Sequence, residues 1–377
     1  VILRSLELER FRNLRPDRIE PGGGVNLFWG PNGAGKSNLL ESVYYLFTTR
    51  SFRARRVSEM VARGATDFRI AGEVDSRSGR HRVEVIHGGD GREMYLDGKR
   101  AGLEDLIRRF SVLVLSSHQM NVLRGSPADR RRFLDRGILG LRPAYLREIA
   151  DYNRTLAQRN VLLRRGAGRA EREAWDERFL AHGARVMEAR RAFALRLSER
   201  IEAHGADVLP EGWRVRMEYR SDSWDRPAER PALEALRERA RQVQEGEARM
   251  GHSLFGPHRD DARVLGGGQD LIRFGSGGQQ RSALMAMELT RMEMMREVRG
   301  ETPLLLLDDI DSDLDDATAD RLLERARGYQ TMVTTCRDDS RDRHAARGTA
   351  FQVLAGVVTA APRRENERVL TPADGER

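Results

Sequence analysis

Eight residues restrict what this chain can fold into more than any others: Gly30-Pro31-Asn32-Gly33-Ala34-Gly35-Lys36-Ser37. They fit the spacing G-x-x-x-x-G-K-S/T of a phosphate-cradling loop. Val25 to Trp29, just before, reads as a buried strand. From Lys36 to Phe47, apolar Leu39, Leu40, Val43 and Leu46 mark a helix. In that setting the glycines let backbone N–H groups turn inward around an anion, and the helix N-terminus adds its partial positive charge. Lys36 is then placed to reach β- and γ-phosphates, and the Ser37 hydroxyl to coordinate Mg²⁺. At average glycine usage a chance match arises in about one such chain in a hundred. The strand and helix around the octet make chance a poorer account still.

Composition singles out the same lysine. Of 66 Lys and Arg residues only Lys36 and Lys99 are lysine. Where a generic cation suffices, the chain uses Arg; at position 36 a compact ammonium fits a tight phosphate nest better than a planar guanidinium. The net charge of +8 and pI of about 10.1 permit a polyanionic partner without requiring one. The single cysteine, Cys336, rules out an internal disulfide framework and suits a reducing cytoplasm. No apolar run approaches membrane-spanning length, and "VILRSLELERF" reads as an alternating strand rather than a signal peptide.

Along its 377 residues the chain changes character twice. Residues 2–10, 25–29, 67–75, 81–87, 92–96 and 111–116 read as strands, with turns at 88–92 and 97–99. From about 127 to 205 it is Arg-, Ala- and Leu-rich and helical, with a hairpin at 166–168. A strand at 213–219 and a helix at about 233–250 follow, and then an α/β pattern resumes. The expected architecture is an α/β nucleotide-binding head made of 1–116 and 252–360, interrupted by a mainly helical lobe at 117–251 and followed by a polar tail at 361–377.

Two further stretches carry phosphate chemistry. "PLLLLDDIDSDLD" (303–315) reads as a buried parallel strand with Asp308 and Asp309 at its carboxyl end, where α/β sheets bind ligands. Asp308 is a candidate Mg²⁺ ligand, through a water, and Asp309 is placed to orient the attacking water. In "FGSGGQQR" (274–281), Ser276, Gly277, Gly278 and Gln279 open a long helix and form a second anion grip, or an ordinary Ser-capped helix start.

Together, the octet, the "SGGQ" signature, the acidic strand end and "SDLD" (312–315) as a D-loop resemble an ABC-type ATPase head, with antiparallel strands beside its P-loop core. A transporter head is a poor match, because 272 residues separate Lys36 from Asp308 (308 − 36) and include a helical lobe; a cohesin- or condensin-type head would need a long coiled coil there. "ERFRNL" (9–14), "TTRSFRARR" (48–56), "GSPADRRRFLD" (125–135) and "GPHRDD" (256–261) resemble the RecF family of bacterial DNA-repair ATPases, over residues 1 to about 355. The resemblance implies ATP and Mg²⁺ as cofactors, and an ATP-dependent homodimer in which the signature of one subunit closes over the ATP of the other. It implies binding to duplex DNA and gap junctions, work with RecR and RecO, help in loading RecA, and slow ATP hydrolysis. Lys36, Asp309 and the partner's Ser276 would act in catalysis. Residues 30–37, Arg12 and Asn13 would contact nucleotide, with Arg53 near phosphate. Gln119 would serve as a Q-loop contact to Mg²⁺ or water. Arg55, Arg56, Arg63, Arg130, Arg131 and Arg132 are either DNA contacts or helix-face ion pairs. The chain departs from the family in "SSHQMN" (116–121), in Thr334 or Thr335 where a switch histidine is usual, and in the form of its signature. The alternative function is a nucleotide-gated clamp with no significant turnover.

Overall fold

The computed structural model describes residues 1–89, 91–225, 229–310, 316–345 and 347–361. The D-loop at 312–315 and the polar tail from 362 onward lie outside the described residues.

The N-terminal third builds an antiparallel sheet and the first strand of a second, parallel one. Its elements are β1 (Ile2–Glu9), β2 (Asp17–Ile19), β3 (Val25–Trp29), α1 (Lys36–Thr48), β4 (Phe68–Ser76), β5 (Gly79–Gly88), β6 (Gly91–Leu96), β7 (Lys99–Arg100), α2 (Leu103–Arg109) and β8 (Val112–Leu115). The antiparallel sheet runs β2-β1-β4-β5-β6-β7. Asp97 and Gly98 join β6 to β7 with positive φ (51° and 75°), the two-residue hairpin whose twist matches its strands.

The middle is helical, as its periodicity predicts. It comprises α3 (Asn121–Arg124), α4 (Pro127–Leu141), α5 (Tyr145–Arg164), α6 (Arg169–His204), β9 (Val215–Arg220), α7 (Ala232–Met250), β10 (Asp261–Gly266), β11 (Gln269–Asp270), α8 (Leu271–Phe274) and α9 (Gly277–Arg299). The α5–α6 hairpin turns at Gly166, with φ of 67°. β10 pairs with β9 and β11 in a three-stranded sheet, so chain on both sides of residue 251 is joined in one unit.

The last part completes the parallel sheet with β12 (Leu304–Leu307), α10 (Asp316–Arg325), β13 (Thr331–Thr335), α11 (Asp338–Ala345), β14 (Gly348–Leu354) and β15 (Val357–Ala360). The order is β15-β14-β3-β13-β12-β8, with β3, β8, β12, β13 and β14 parallel. Both faces are covered. Leu304 and Leu306 point into the core shared with α1 and the antiparallel sheet, while Leu305 and Leu307 point into the core shared with α9 and the helices. That is why "LLLL" needs no polar alternation. The β14–β15 hairpin is a structural addition to the reading from sequence. β14 lies beside β3, and Gly356 at its turn donates its N–H to the Ala34 carbonyl at 2.8 Å, buttressing the glycine loop from behind.

Candidate nucleotide site

The glycine octet leaves β3 and enters α1. Gly33 and Gly35 hold φ of 80° and 116°, conformations that side chains rarely adopt. Gly30 is required for a different reason: a Cβ there would lie 2.1 Å from the Val353 carbonyl oxygen of β14. Ser37 is half-buried in the first turn of α1. Lys36 is buried, and its Nζ donates to the carbonyls of Gly30 (2.7 Å) and Pro31 (3.0 Å), so the ammonium is pinned across its own loop. Burial holds its pKa below the ordinary lysine value; the nearby Cys336 thiol and the Asp309 and Asp308 carboxyls pull it back up. The octet and the acidic strand end are therefore electrostatic neighbours.

The acidic end of β12 is set by one hydroxyl. Thr334, fully buried in β13, donates to Asp308 Oδ1 (3.0 Å) and accepts the N–H of Asp309 (2.7 Å). Asp308 is buried, and Asp309 sits at φ of 54°, a left-handed conformation that Asp tolerates better than most residues. Of the two threonines at the switch position, Thr334 makes this bridge. Gln119, in a tight turn before α3, lines the same cavity as Asp308 and Asp309; its amide N–H₂ bonds the Val114 carbonyl and its Oε1 is buried without a hydrogen-bond partner.

Arg12 and Asn13 divide their expected work. Arg12 forms a two-pronged ion pair with buried Glu41 of α1 (2.7 and 2.9 Å), and Ser51 bonds the same carboxylate. Arg12 thus clamps the β1–β2 loop to the nucleotide helix. Asn13 reaches the octet itself, donating to Gly33 O (3.2 Å) and Ala34 O (3.4 Å) and accepting from Asn38 (2.7 Å), which in turn accepts from Arg53 (3.0 Å).

The signature stands apart. Ser276 caps α9: its Oγ accepts the Gln279 N–H (3.3 Å), while Gln279 Oε1 accepts the Ser276 N–H (2.9 Å). This is the reciprocal box expected of a helix start. Ser276, Gly277 and Gly278 are exposed, and among the described residues none of them bonds the octet of its own chain.

Residues 2–355 match the family described as the RecF/RecN/SMC N terminal domain. A protein of Geobacter sulfurreducens named DNA replication and repair protein RecF is 33% identical over 366 residues, covering 95% of this chain and 99% of that one. The chain belongs to the RecF family. A RecF of an Anaeromyxobacter species is 36% identical over 375 residues, covering 95% and 98% of the two chains. A solved structure titled as the recombination mediator protein RecF with ATP in the RecFOR pathway superposes with a TM-score of 0.88 at 28% identity, over 96% of this chain and 98% of the other.

The two stretches most suggestive of the RecF family bond to each other rather than to the octet. Ser126 and Pro127 start α4, with Asp129 accepting from the Ser126 N–H (2.9 Å) and Oγ (2.8 Å). Arg130 pairs through two hydrogen bonds with Asp261 (2.6 and 2.9 Å), and Arg131 donates to the Asp260 carbonyl (2.6 Å). Asp135 pairs with buried Arg190, which also donates to Pro257 O (2.6 Å). Of the two readings for these arginines, Arg130 takes the ion pair, being buried against Asp261, while half-buried Arg131 makes one bond inside the protein. Arg132 is exposed and paired to Asp129 (2.7 Å), whereas Arg55, Arg56 and Arg63 are exposed beyond α1. Inside the same network His258 is half-buried; its Nε2 faces the Ser253 carbonyl and its Nδ1 lies 2.6 Å from the Tyr152 hydroxyl. Burial drives its pKa down to about 4, and burial drives the Asp260 carboxyl up to about 6.

Proposed function

We propose that this chain is an ATP-dependent DNA-binding repair protein that dimerises on duplex DNA with ATP bound and releases it on slow hydrolysis. The observation that carries this reading is the pairing of a complete phosphate cradle with a solvent-facing signature that bonds nothing in its own cradle. A second copy is the natural source of a γ-phosphate for those exposed amides.

The donor set fits Mg·ATP. Lys36 would exchange the Gly30 and Pro31 carbonyls for phosphate oxygens, trading two neutral acceptors for charge-assisted ones. Among the described residues no three His, Cys, Asp or Glu side chains form a metal cage. Ser37 and Asp308 would therefore hold Mg²⁺ together with phosphate and water, the usual arrangement for this ion. Mg²⁺ held there would supply neutralisation of phosphate charge. Gln119 would reach the same space with its Oε1. Asp309, fixed by Thr334, orients the attacking water, and Ser276 with the Gly277 and Gly278 amides of the partner completes the shell. DNA contact falls to exposed arginines, with Arg55, Arg56 and Arg63 the leading candidates, and this reading includes work with RecR, RecO and, through them, RecA at single-strand gaps.

Light scattering with ATP and Mg²⁺ tests the dimer. Ser276→Arg should bind ATP but stay monomeric, Asp309→Asn should remain dimeric on DNA, and Lys36→Ala should lose nucleotide altogether. Normal dimerisation of Ser276→Arg would reduce the signature to a helix cap. The clamp without turnover shares the dimer but gives no ADP release on adding duplex DNA.

A further inference from the structure

Behind the nucleotide site lies a second cavity, about 780 Å³ including space open to solvent, between α1, α2, β8 and the paired helices α4 and α9. Four arginines line it, Arg50, Arg136, Arg291 and Arg299, and among the described residues no acidic one does. Arg50 and Arg136 have no ion pair or side-chain hydrogen bond among the described residues. Arg299 donates only to the Ile107 and Arg108 carbonyls at the end of α2. Arg291 is 4% exposed; one Nη lies 2.8 Å from buried Glu288, but its Nε and Nη1 are buried without a hydrogen-bond partner. Ser111 Oγ and Arg136 Nε, on the same wall, are likewise buried and unpartnered.

Buried donors without acceptors are costly, and buried cations without counter-charges more so. Arg291 is buried, Arg136 and Arg299 are half-buried and Arg50 sits at the exposed mouth, and Glu288 offers the three covered cations a single negative charge. Desolvation holds the pKa of both Arg291 and Arg299 below the ordinary value, so these side chains gain from any anion that enters. Planar guanidiniums beside a hydroxyl are the donor set that phosphate oxygens prefer. The rest of the wall is apolar, with Phe47, Phe110, Leu139 and Met295, which keeps the dielectric low and the interaction strong. We propose that this cavity is a second phosphate site, separate from the glycine octet, which takes a small phosphate-bearing anion and ties the nucleotide helix α1 to α4 and α9.

Inorganic phosphate is the probe, and the octet must be disabled so that it does not answer instead. In full-length Lys36→Ala, at ionic strength held constant with NaCl, phosphate should raise the melting temperature along a saturating curve. Adding Arg136→Gln should shift half-saturation about tenfold higher, the loss of one charge-assisted bond, and Arg50→Gln should shift it in the same direction. Among the described residues neither side chain has an ion pair or side-chain hydrogen bond, and Arg136 acts only through its charge near Glu288, so both variants should melt close to their parent without phosphate. A rise that is linear in concentration and indifferent to Arg136→Gln is general salting-out, and overturns the site. No rise at all overturns it too. So does loss of duplex-oligonucleotide affinity in Arg136→Gln with no phosphate effect, which would make the cavity part of a DNA surface.

Discussion

Replacing Asp260 by Asn should make the protein more stable at neutral pH and leave it little changed near pH 4. The carboxyl is buried beside Tyr219, which donates to it, and burial is the largest influence on it, ahead of that bond and of Arg190 and Arg131. Its pKa rises from 3.8 to about 6, so the folded state binds the proton more tightly than the unfolded chain. The stability this provides is full below pH 3.8 and is lost as pH rises through 6, a change of about 3 kcal/mol at 1.36 kcal/mol per pKa unit. His258 runs the other way. Its pKa falls from 6.5 to about 4, so its contribution is present above 6.5 and lost as pH falls through 4, again by about 3 kcal/mol. In the wild type the two nearly cancel between pH 4 and 6.5. Urea denaturation at half-unit pH steps should therefore give a difference, wild type minus Asp260→Asn, that falls by about 2.4 kcal/mol from pH 4 to 7. The variant alone should show the uncovered His258 slope, losing stability on acidification. A difference that stays flat within about 0.5 kcal/mol would refute the buried-carboxyl account.

Thr334→Val removes the hydroxyl that serves Asp308 and Asp309 together, at a cost of about 1–3 kcal/mol in unpaired polar groups. ATP binding should survive while single-turnover hydrolysis slows about 10- to 100-fold; an unchanged rate would mean that Thr334 does not set the water-orienting carboxylate. Arg124→Ala breaks the 3.0 Å bond to Gln280 at the start of the signature helix. We expect unchanged ATP affinity and about tenfold weaker ATP-induced dimerisation by light scattering, and equal dimerisation would disconnect α3 from the signature.

What the sequence made legible is what is local or periodic. The octet, the buried leucine strand, the Ser276 cap and the α5–α6 hairpin each depend on residues within a few positions of one another, and the structure places them where the spacing requires. What it hid is pairing at long range. Nothing near Arg130 announces Asp261, 131 residues later, so a basic run in an exposed-looking helix read equally well as a DNA surface. Thr334 and Thr335 look alike in "TMVTT", and only the register of β13 against β12 decides which hydroxyl faces the acidic pair. The support of Ala34 by Gly356 is of the same kind, since a glycine in a late turn says nothing about a loop 322 residues before it (356 − 34).

These long-range bonds also explain why motifs remote from nucleotide belong with it. Gln119 begins a short stretch, α3 and then α4, that is held at both ends. Arg124 reaches Gln280, whose own amide bonds Leu271 O, fixing where the signature helix starts. Arg130 and Asp135 anchor α4 to Asp261 and, through Arg190, to Pro257. Gln119, which lines the cavity beside Asp308 and Asp309, and the Ser276 cap are therefore joined through a braced stretch of chain and the Arg124–Gln280 bond. Our hypothesis is that displacement of Gln119 on ATP binding is carried to Ser276 by this piece as a unit, because its charge-assisted bonds are at least partly buried and cross-link it at several points. The Arg124→Ala outcome tests it, for that guanidinium hydrogen-bonds α3 to Gln280 of the signature helix.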